Sequence, residues 1–184
     1  MQARTSRGRL PRRGWKLSGN SRCFASIGDR PKPVNRDFRD LLAEFNAQHV
    51  DFLVVGAHAL AAHGHVRATK DLDIWVRPCT ENAARVLAAL RSFGAPLHDL
   101  TERDLAEPGV VFQMGVAPVR IDIVTSISGV EFDAAWPRRL CTRFADQPAS
   151  VLGKDDLIRN KRAAGRTQDL ADVEWLEGHG VDEK

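Results

Sequence analysis

A chain of 184 residues with 43% apolar composition suffices for one domain around one core, since domains commonly run to about 100–200 residues. No stretch approaches the roughly 18 consecutive apolar residues of a membrane-spanning helix, and Cys23, Cys79 and Cys141 lie far apart with no CxxC pair; a soluble cytoplasmic protein without zinc site, disulfide framework or membrane partner is the expectation. The formal charge of +3 is uneven: residues 1–33 carry nine Lys or Arg against one acid, net +8, whereas the rest carries 18 against 23, net −5, so the folded part is acidic and a poor match for long duplex nucleic acid.

Residues 1–33, rich in Arg, Gly, Ser and Pro, read as a disordered basic tail or a mis-assigned start, with a linker at 30–33. The domain itself is expected over 34–178, with 179–184 as a C-terminal tail. Asn35 can cap a first helix whose Phe38, Leu41, Leu42 and Phe45 recur at three-and-four spacing. Phe52 to Val55 reads as a buried strand stopped by Gly56, and Ala57 to His63 as a short packed helix ending at Gly64.

A second strand follows at Leu72 to Val76, and Pro78 ends it. Thr80 is expected to cap a helix with Ala84, Leu87, Ala88 and Leu90 as its inward stripe, closed by Gly94. Gly109 to Met114 and Val119 to Val124 read as strands flanking a hairpin loop, Gly115 to Pro118. After Pro137 the pattern weakens to a short strand around Cys141 to Phe144, then two helices, Asp155 to Ala164 and Gln168 to Leu176, with a Thr167 cap between them. The sum is an α/β (α+β) fold: a small mixed sheet of about four to five strands packed on helices, with a C-terminal helical segment.

Chemistry concentrates at three carboxylates. Residues two apart on a strand share a face, so Asp71 and Asp73 project together while Leu72 and Ile74 face the core. Like charges this close raise each other's pKa, a cost that a divalent cation removes, and hard oxygen ligands suit magnesium. Asp122, in Arg120-Ile121-Asp122-Ile123-Val124, puts a third carboxylate on an otherwise apolar strand. Gly56 ends a strand and opens a helix, where free backbone N–H groups can receive phosphate oxygens. Together these are the parts of a two-metal phosphoryl-transfer site.

Gly56-Ala57, the run Arg67-Ala68-Thr69-Lys70-Asp71-Leu72-Asp73, and Asp122 resemble the signature of the DNA polymerase beta-like nucleotidyltransferase superfamily, and the spacing resembles its small bacterial domains related to aminoglycoside nucleotidyltransferases and abortive-infection type toxins. The resemblance covers roughly residues 35–178 and implies the nucleotidyltransferase fold. It implies two Mg2+ ions and a nucleoside triphosphate such as ATP on Asp71 and Asp73, with Asp122 completing one metal and helping to deprotonate the acceptor hydroxyl. A hydroxyl acceptor (a small molecule, a protein or an RNA end) and an antitoxin partner, with this chain as the toxin of the pair, are implied as well. Arg67, Lys70 and Lys161 are the candidate phosphate-binding cations beside Gly56 and Ala57; a structural pair with an acid of the cluster rivals that role for Arg67, and a solvent-facing helix position rivals it for Lys161.

Where many members have Gly-Ser or Gly-Gly, this chain has Gly56-Ala57, which removes a serine contact to the triphosphate. The alternative function is therefore a catalytically weak or inactive nucleotide-binding module of the same fold. His58, His63 and His65 lack zinc spacing and are expected to pack, with His58 near enough to the turn to touch a nucleotide. Arg138, Arg139 and Arg143 form the basic cluster of the folded part, expected as a solvated face.

Overall fold

The computed structural model describes residues 35–115, 119–144 and 146–179. Helix α1 (Arg36–Ala47) starts as its sequence predicts: the Asn35 side chain accepts a hydrogen bond from the Asp37 amide at 2.9 Å, and Phe38, Leu41, Leu42 and Phe45 form the buried face. Strand β1 (Phe52–Val54) is buried throughout, and the chain turns at Gly56 into α2 (Gly56–Ala62). Strand β2 (Asp71–Val76) has Leu72 and Ile74 fully buried, while Asp71 and Asp73 keep partial exposure. The expected alternation therefore holds at the end of the strand that carries the carboxylates.

Helix α3 (Thr80–Phe93) ends at Gly94 as expected, and Leu87 and Leu90 of the expected stripe are buried; Ala88 is half-buried and Ala84 exposed, and Asn82, Ala83, Val86 and Ala89 complete the buried face instead. Asn82 is the polar member of that face. Its amide accepts from Asp51 N at 2.8 Å and donates to the carbonyls of Asp51 and Arg77, so a polar residue holds an inward position that composition assigns to the surface. The cap is Cys79, without a side-chain bond, rather than Thr80. Likewise Arg166, not Thr167, is the cap of α7 (Thr167–Gly178).

A short helix α4 (Glu102–Ala106) with a Thr101–Asp104 capping box precedes β3 (Val111–Met114) and β4 (Arg120–Val124). The middle of the expected hairpin loop, like the expected tails apart from His179, lies outside the described residues. Helix α5 (Phe132–Ala135) and a 3-10 turn (Trp136–Arg138) lead to β5 (Leu140–Phe144) and β6 (Gln147–Val151), followed by α6 (Lys154–Ala164) and α7.

The described strands form one six-stranded sheet in the order β3-β4-β2-β1-β6-β5, one strand more than the upper expectation. The strand that sequence reading misses is β6, whose Gln-Pro-Ala-Ser-Val run lacks an apolar signature because Pro148 and Ser150 alternate with Ala149 and Val151. β2 runs parallel to β4 and β1 parallel to β6, and the other pairings are antiparallel. α1 packs on α3 and β6, and α2 on β2, which encloses Leu41, Phe45, Leu53, Leu60, Ile74 and Trp75. Among the described residues no helix is long and apolar enough to cross a membrane.

Candidate active site

Strands β2 and β4 lie side by side in parallel register, with Asp71 opposite Arg120 and Asp73 opposite Asp122. In-register residues of neighbouring strands share a face about 4.8 Å apart, so the topology alone brings Asp73 next to Asp122. Ile121 and Ile123 are buried on the other face of β4. Asp122, 7% exposed, sits between β2 and β3 rather than at a solvated edge.

Arg120 stands within the cluster. Its Nη2 donates to Asp71 Oδ2 at 3.2 Å, and its Nε lies 3.0 Å from Asp122 Oδ1. The second contact is an ion pair without an aligned N–H, so Asp122 Oδ1 remains buried with no hydrogen-bond donor. Among the described residues no three carboxylate, imidazole or thiol groups already converge as a metal cage, and Asp71 is turned to the guanidinium.

Asp73 is the strained acid of the group. Burial raises its pKa to about 6, Asp122 and Asp71 push in the same direction, and Arg120 and Arg166 partly offset them. Gly56 makes this packing feasible. It has φ of +63°, and a Cβ placed there would lie 2.2 Å from Asp73 Oδ2, so the residue must lack a side chain on conformational and steric grounds alike. Gly56→Ala is therefore expected to cost about 1–3 kcal/mol of stability and to displace the Asp73 carboxylate. Urea unfolding together with a magnesium titration would check this; unchanged values for both would remove Gly56 from the site.

The residues fit magnesium by donor chemistry. All three carboxylates offer hard oxygens, one of them buried and lacking a donor, and the Asp73 pKa is raised first by burial and then by the neighbouring Asp122 and Asp71.

The predicted cations separate. Lys70 is exposed directly before Asp71, and among the described residues it forms no ion pair. Arg67 Nη2 lies 3.6 Å from Asp172, not beside an acid of the triad. Lys161 is neither solvent-facing nor free: 4% exposed, its ammonium donates to Asp169 at 2.9 Å and Asp172 at 2.7 Å. Ala57 is buried at the start of α2, where no side chain caps the helix.

The basic cluster is structural. Arg138 binds Asp156, Arg139 stacks 4.1 Å over Trp136 and Arg143 donates to Asp146 O. His58 packs edge-on between Phe38 and Phe144, and His63 Nε2 meets Leu152 O at 2.8 Å.

Sequence reasoning missed two residues of the site. Arg120 carried a signal, since Arg120-x-Asp122 has the same two-residue spacing as Asp71-x-Asp73. Arg166 carried none, because only the packing of the α6–α7 turn brings its charge near Asp73.

No protein-family model and no curated protein matches the chain by sequence. Solved structures do match. A candidate nucleotidyltransferase of Thermotoga maritima superposes with a TM-score of 0.51 at 14% identity, covering 78% of this chain and 92% of that one. The lincosamide antibiotic adenylyltransferase LnuA, with lincomycin bound, gives 0.51 at 13% identity, covering 78% and 96%. The antibiotic-resistance factor ANT(2″)-Ia in complex with adenylyl-2″-tobramycin gives 0.50 at 16%, covering 76% and 84%. Similarity at this identity speaks for architecture, and with the six-stranded mixed sheet and its flanking helices it establishes that the chain has the nucleotidyltransferase fold.

Proposed function

We propose that the protein transfers a nucleoside monophosphate from a nucleoside triphosphate to a hydroxyl acceptor. The observation that carries this reading is the in-register pairing of Asp73 with Asp122 across β2 and β4, with Asp71 on the same face. Asp71, Asp73 and Asp122 would hold magnesium. When bound, magnesium supplies positive charge against the triphosphate and the leaving pyrophosphate and lowers the pKa of the acceptor hydroxyl.

The chain's own groups do the rest. Backbone N–H groups at the Gly56–Ala57 turn and the exposed Lys70 ammonium would orient the triphosphate, positioning the α-phosphorus for in-line attack. Asp122 Oδ1, buried without a donor, would accept the proton of the acceptor hydroxyl. The acceptor oxygen forms a bond to the α-phosphorus, the bond from that phosphorus to the bridging oxygen breaks, and pyrophosphate leaves with the electron pair.

One observation favours a second reading, a nucleotide-binding module without turnover: Arg120 already neutralises Asp71 and Asp122, and Ala57 offers no hydroxyl to the phosphates. The two separate in one experiment, in which purified protein, magnesium and α-labelled nucleoside triphosphates are incubated with pooled small molecules, protein or RNA beside Asp71→Asn. Transfer is expected, with the variant lower by about 100- to 1,000-fold. Label transfer that survives the substitution would remove this site; magnesium-dependent binding with no transfer to any acceptor would establish the second reading.

A further inference from the structure

One side chain, Arg120, spans two of the three candidate metal ligands. Its Nη2 donates to Asp71 Oδ2 at 3.2 Å and its Nε stands 3.0 Å from Asp122 Oδ1. The strand register sets this up: Arg120 lies opposite Asp71 on the neighbouring strand and two residues before Asp122 on its own, so the three share one face of the sheet. With the guanidinium in place the carboxylates do not converge as a metal cage among the described residues. A cation and a guanidinium therefore compete for the same two acids.

The hold on Asp122 is poorly made. Arg120 Nε and Asp122 Oδ1 are both buried without a hydrogen-bond partner, although they face each other at 3.0 Å. The N–H is not aligned with the oxygen, so the contact keeps the charge attraction and lacks the hydrogen bond that a buried donor and a buried acceptor each require. Both needs are met when each atom takes a different partner, the oxygen a cation and the N–H an anionic oxygen. The hold on Asp71 is weak for another reason: the two side chains are 43% and 41% exposed, and solvent screens such a pair. Arg120 keeps its charge at any working pH, so on leaving the carboxylates it needs a new anion, and phosphate oxygens suit its planar fork.

We propose that Arg120 is an exchangeable counter-cation. Without ligand it holds Asp71 and Asp122; when a divalent cation and the triphosphate bind together, it yields the two carboxylates and turns its fork to the phosphates. The inference rests on the nucleotidyl-transfer reading and deepens it, adding a phosphate-binding residue and a cause for coupled binding of metal and nucleotide. A divalent cation alone has to compete with a resident positive charge, whereas one that arrives with the triphosphate brings the anion that draws the competitor away.

Removing the charge should therefore act in opposite directions on the two ligands. Manganese is the metal probe, with the unbound ion read by electron paramagnetic resonance against the full chain. Arg120→Gln is expected to bind manganese alone about tenfold more tightly than the parent, a difference of about 1.4 kcal/mol. The same variant is expected to bind α,β-methylene adenosine triphosphate, at saturating manganese in a calorimeter, about tenfold less tightly. A side chain that only props up the site would weaken both on removal. Arg120→Lys, a point charge without the fork, should fall between the parent and Arg120→Gln for both ligands. Circular dichroism establishes that each variant is folded, and Arg120→Lys carries the comparison, with the same signs, if Arg120→Gln is not.

Manganese affinity that is unchanged or weaker in Arg120→Gln, or nucleotide affinity that is unchanged or tighter, would overturn the proposal. Absence of manganese binding in the parent and in both variants, with or without nucleotide, is a separate failure: it removes the carboxylate metal site and the transfer reading, and the exchange with them.

Discussion

Asp73→Asn is expected to abolish the proposed nucleotidyl transfer and, in the presence of a chelator at pH 7.5, to make the protein harder to unfold. Most substitutions at a packed position destabilise, so the direction is diagnostic. The Asp73 carboxyl titrates at about 6 in the folded chain against 3.8 for the free side chain, because it is buried and faces Asp122 and Asp71. A raised acid pKa means that the folded state holds the proton more tightly than the unfolded state does. The associated stability is fully present below about pH 3.8 and is lost as the pH rises through 6.

Asparagine stays neutral throughout, so the two proteins should unfold alike near pH 3.5 and diverge between 4 and 6. Above that range the variant should be ahead by a constant margin, of order 1–3 kcal/mol. His58, whose burial-lowered pKa acts in the opposite sense at acid pH, is common to both chains and cancels in the difference. Urea denaturation across pH 3.5–8 with chelator reads the margin. A gap that is absent at pH 7.5, or that widens toward acid, would show that Asp73 is not the charge-strained member of the cluster.

Lys161→Met should act in the other direction and more strongly. The Lys161 ammonium bridges Asp169 and Asp172, and Asp172 has no exposed surface. Removing the cation leaves two buried carboxylates with the weaker support of Arg67 at 3.6 Å and His65 at 3.8 Å. Breaking a buried pair from one side costs about 3–5 kcal/mol, which for a chain of this size lowers the melting temperature by roughly 10 °C.

Replacing a partner as well should recover part of the loss, since an apolar pair of similar volume is often nearly neutral. Lys161→Met/Asp169→Leu is thus expected to melt above Lys161→Met alone, and additive losses would contradict the coupling. Transfer should fall with stability in the single variant, because the Asp172 contacts to His65 and Arg67 anchor the segment that enters β2 at Asp71.

The elements legible in the sequence were those whose local pattern and tertiary role agree. Asn35 caps α1 and the Phe38–Phe45 stripe is its buried face, because amphipathic spacing survives any packing partner. Asp71 and Asp73 share a face by the two-residue period of a strand. β6 and α4 were illegible: a strand containing Pro148 and Ser150 exists because β1 and β5 pair with it, and five residues of helix are too few to show a period. On α3, the buried Asn82 was illegible because its partners, Asp51 and Arg77, meet only where β1 begins and β2 ends, side by side at one end of the antiparallel pair.

What the sequence by itself determined was which groups are the candidates for the chemistry: three carboxylates on strand-like segments and a glycine with no side chain to obstruct them. Only the tertiary structure decided which groups meet. Parallel pairing of β2 with β4 put Asp73 beside Asp122 and Asp71 beside Arg120, so one register produced both the charge excess of the site and its internal counter-cation. The α6–α7 packing withdrew Lys161 into a buried ion pair and brought the charge of Arg166 toward Asp73 in its place. Charge and periodicity are properties of single segments, whereas pairing energies fall off within a few ångströms and depend on which segments the fold makes neighbours.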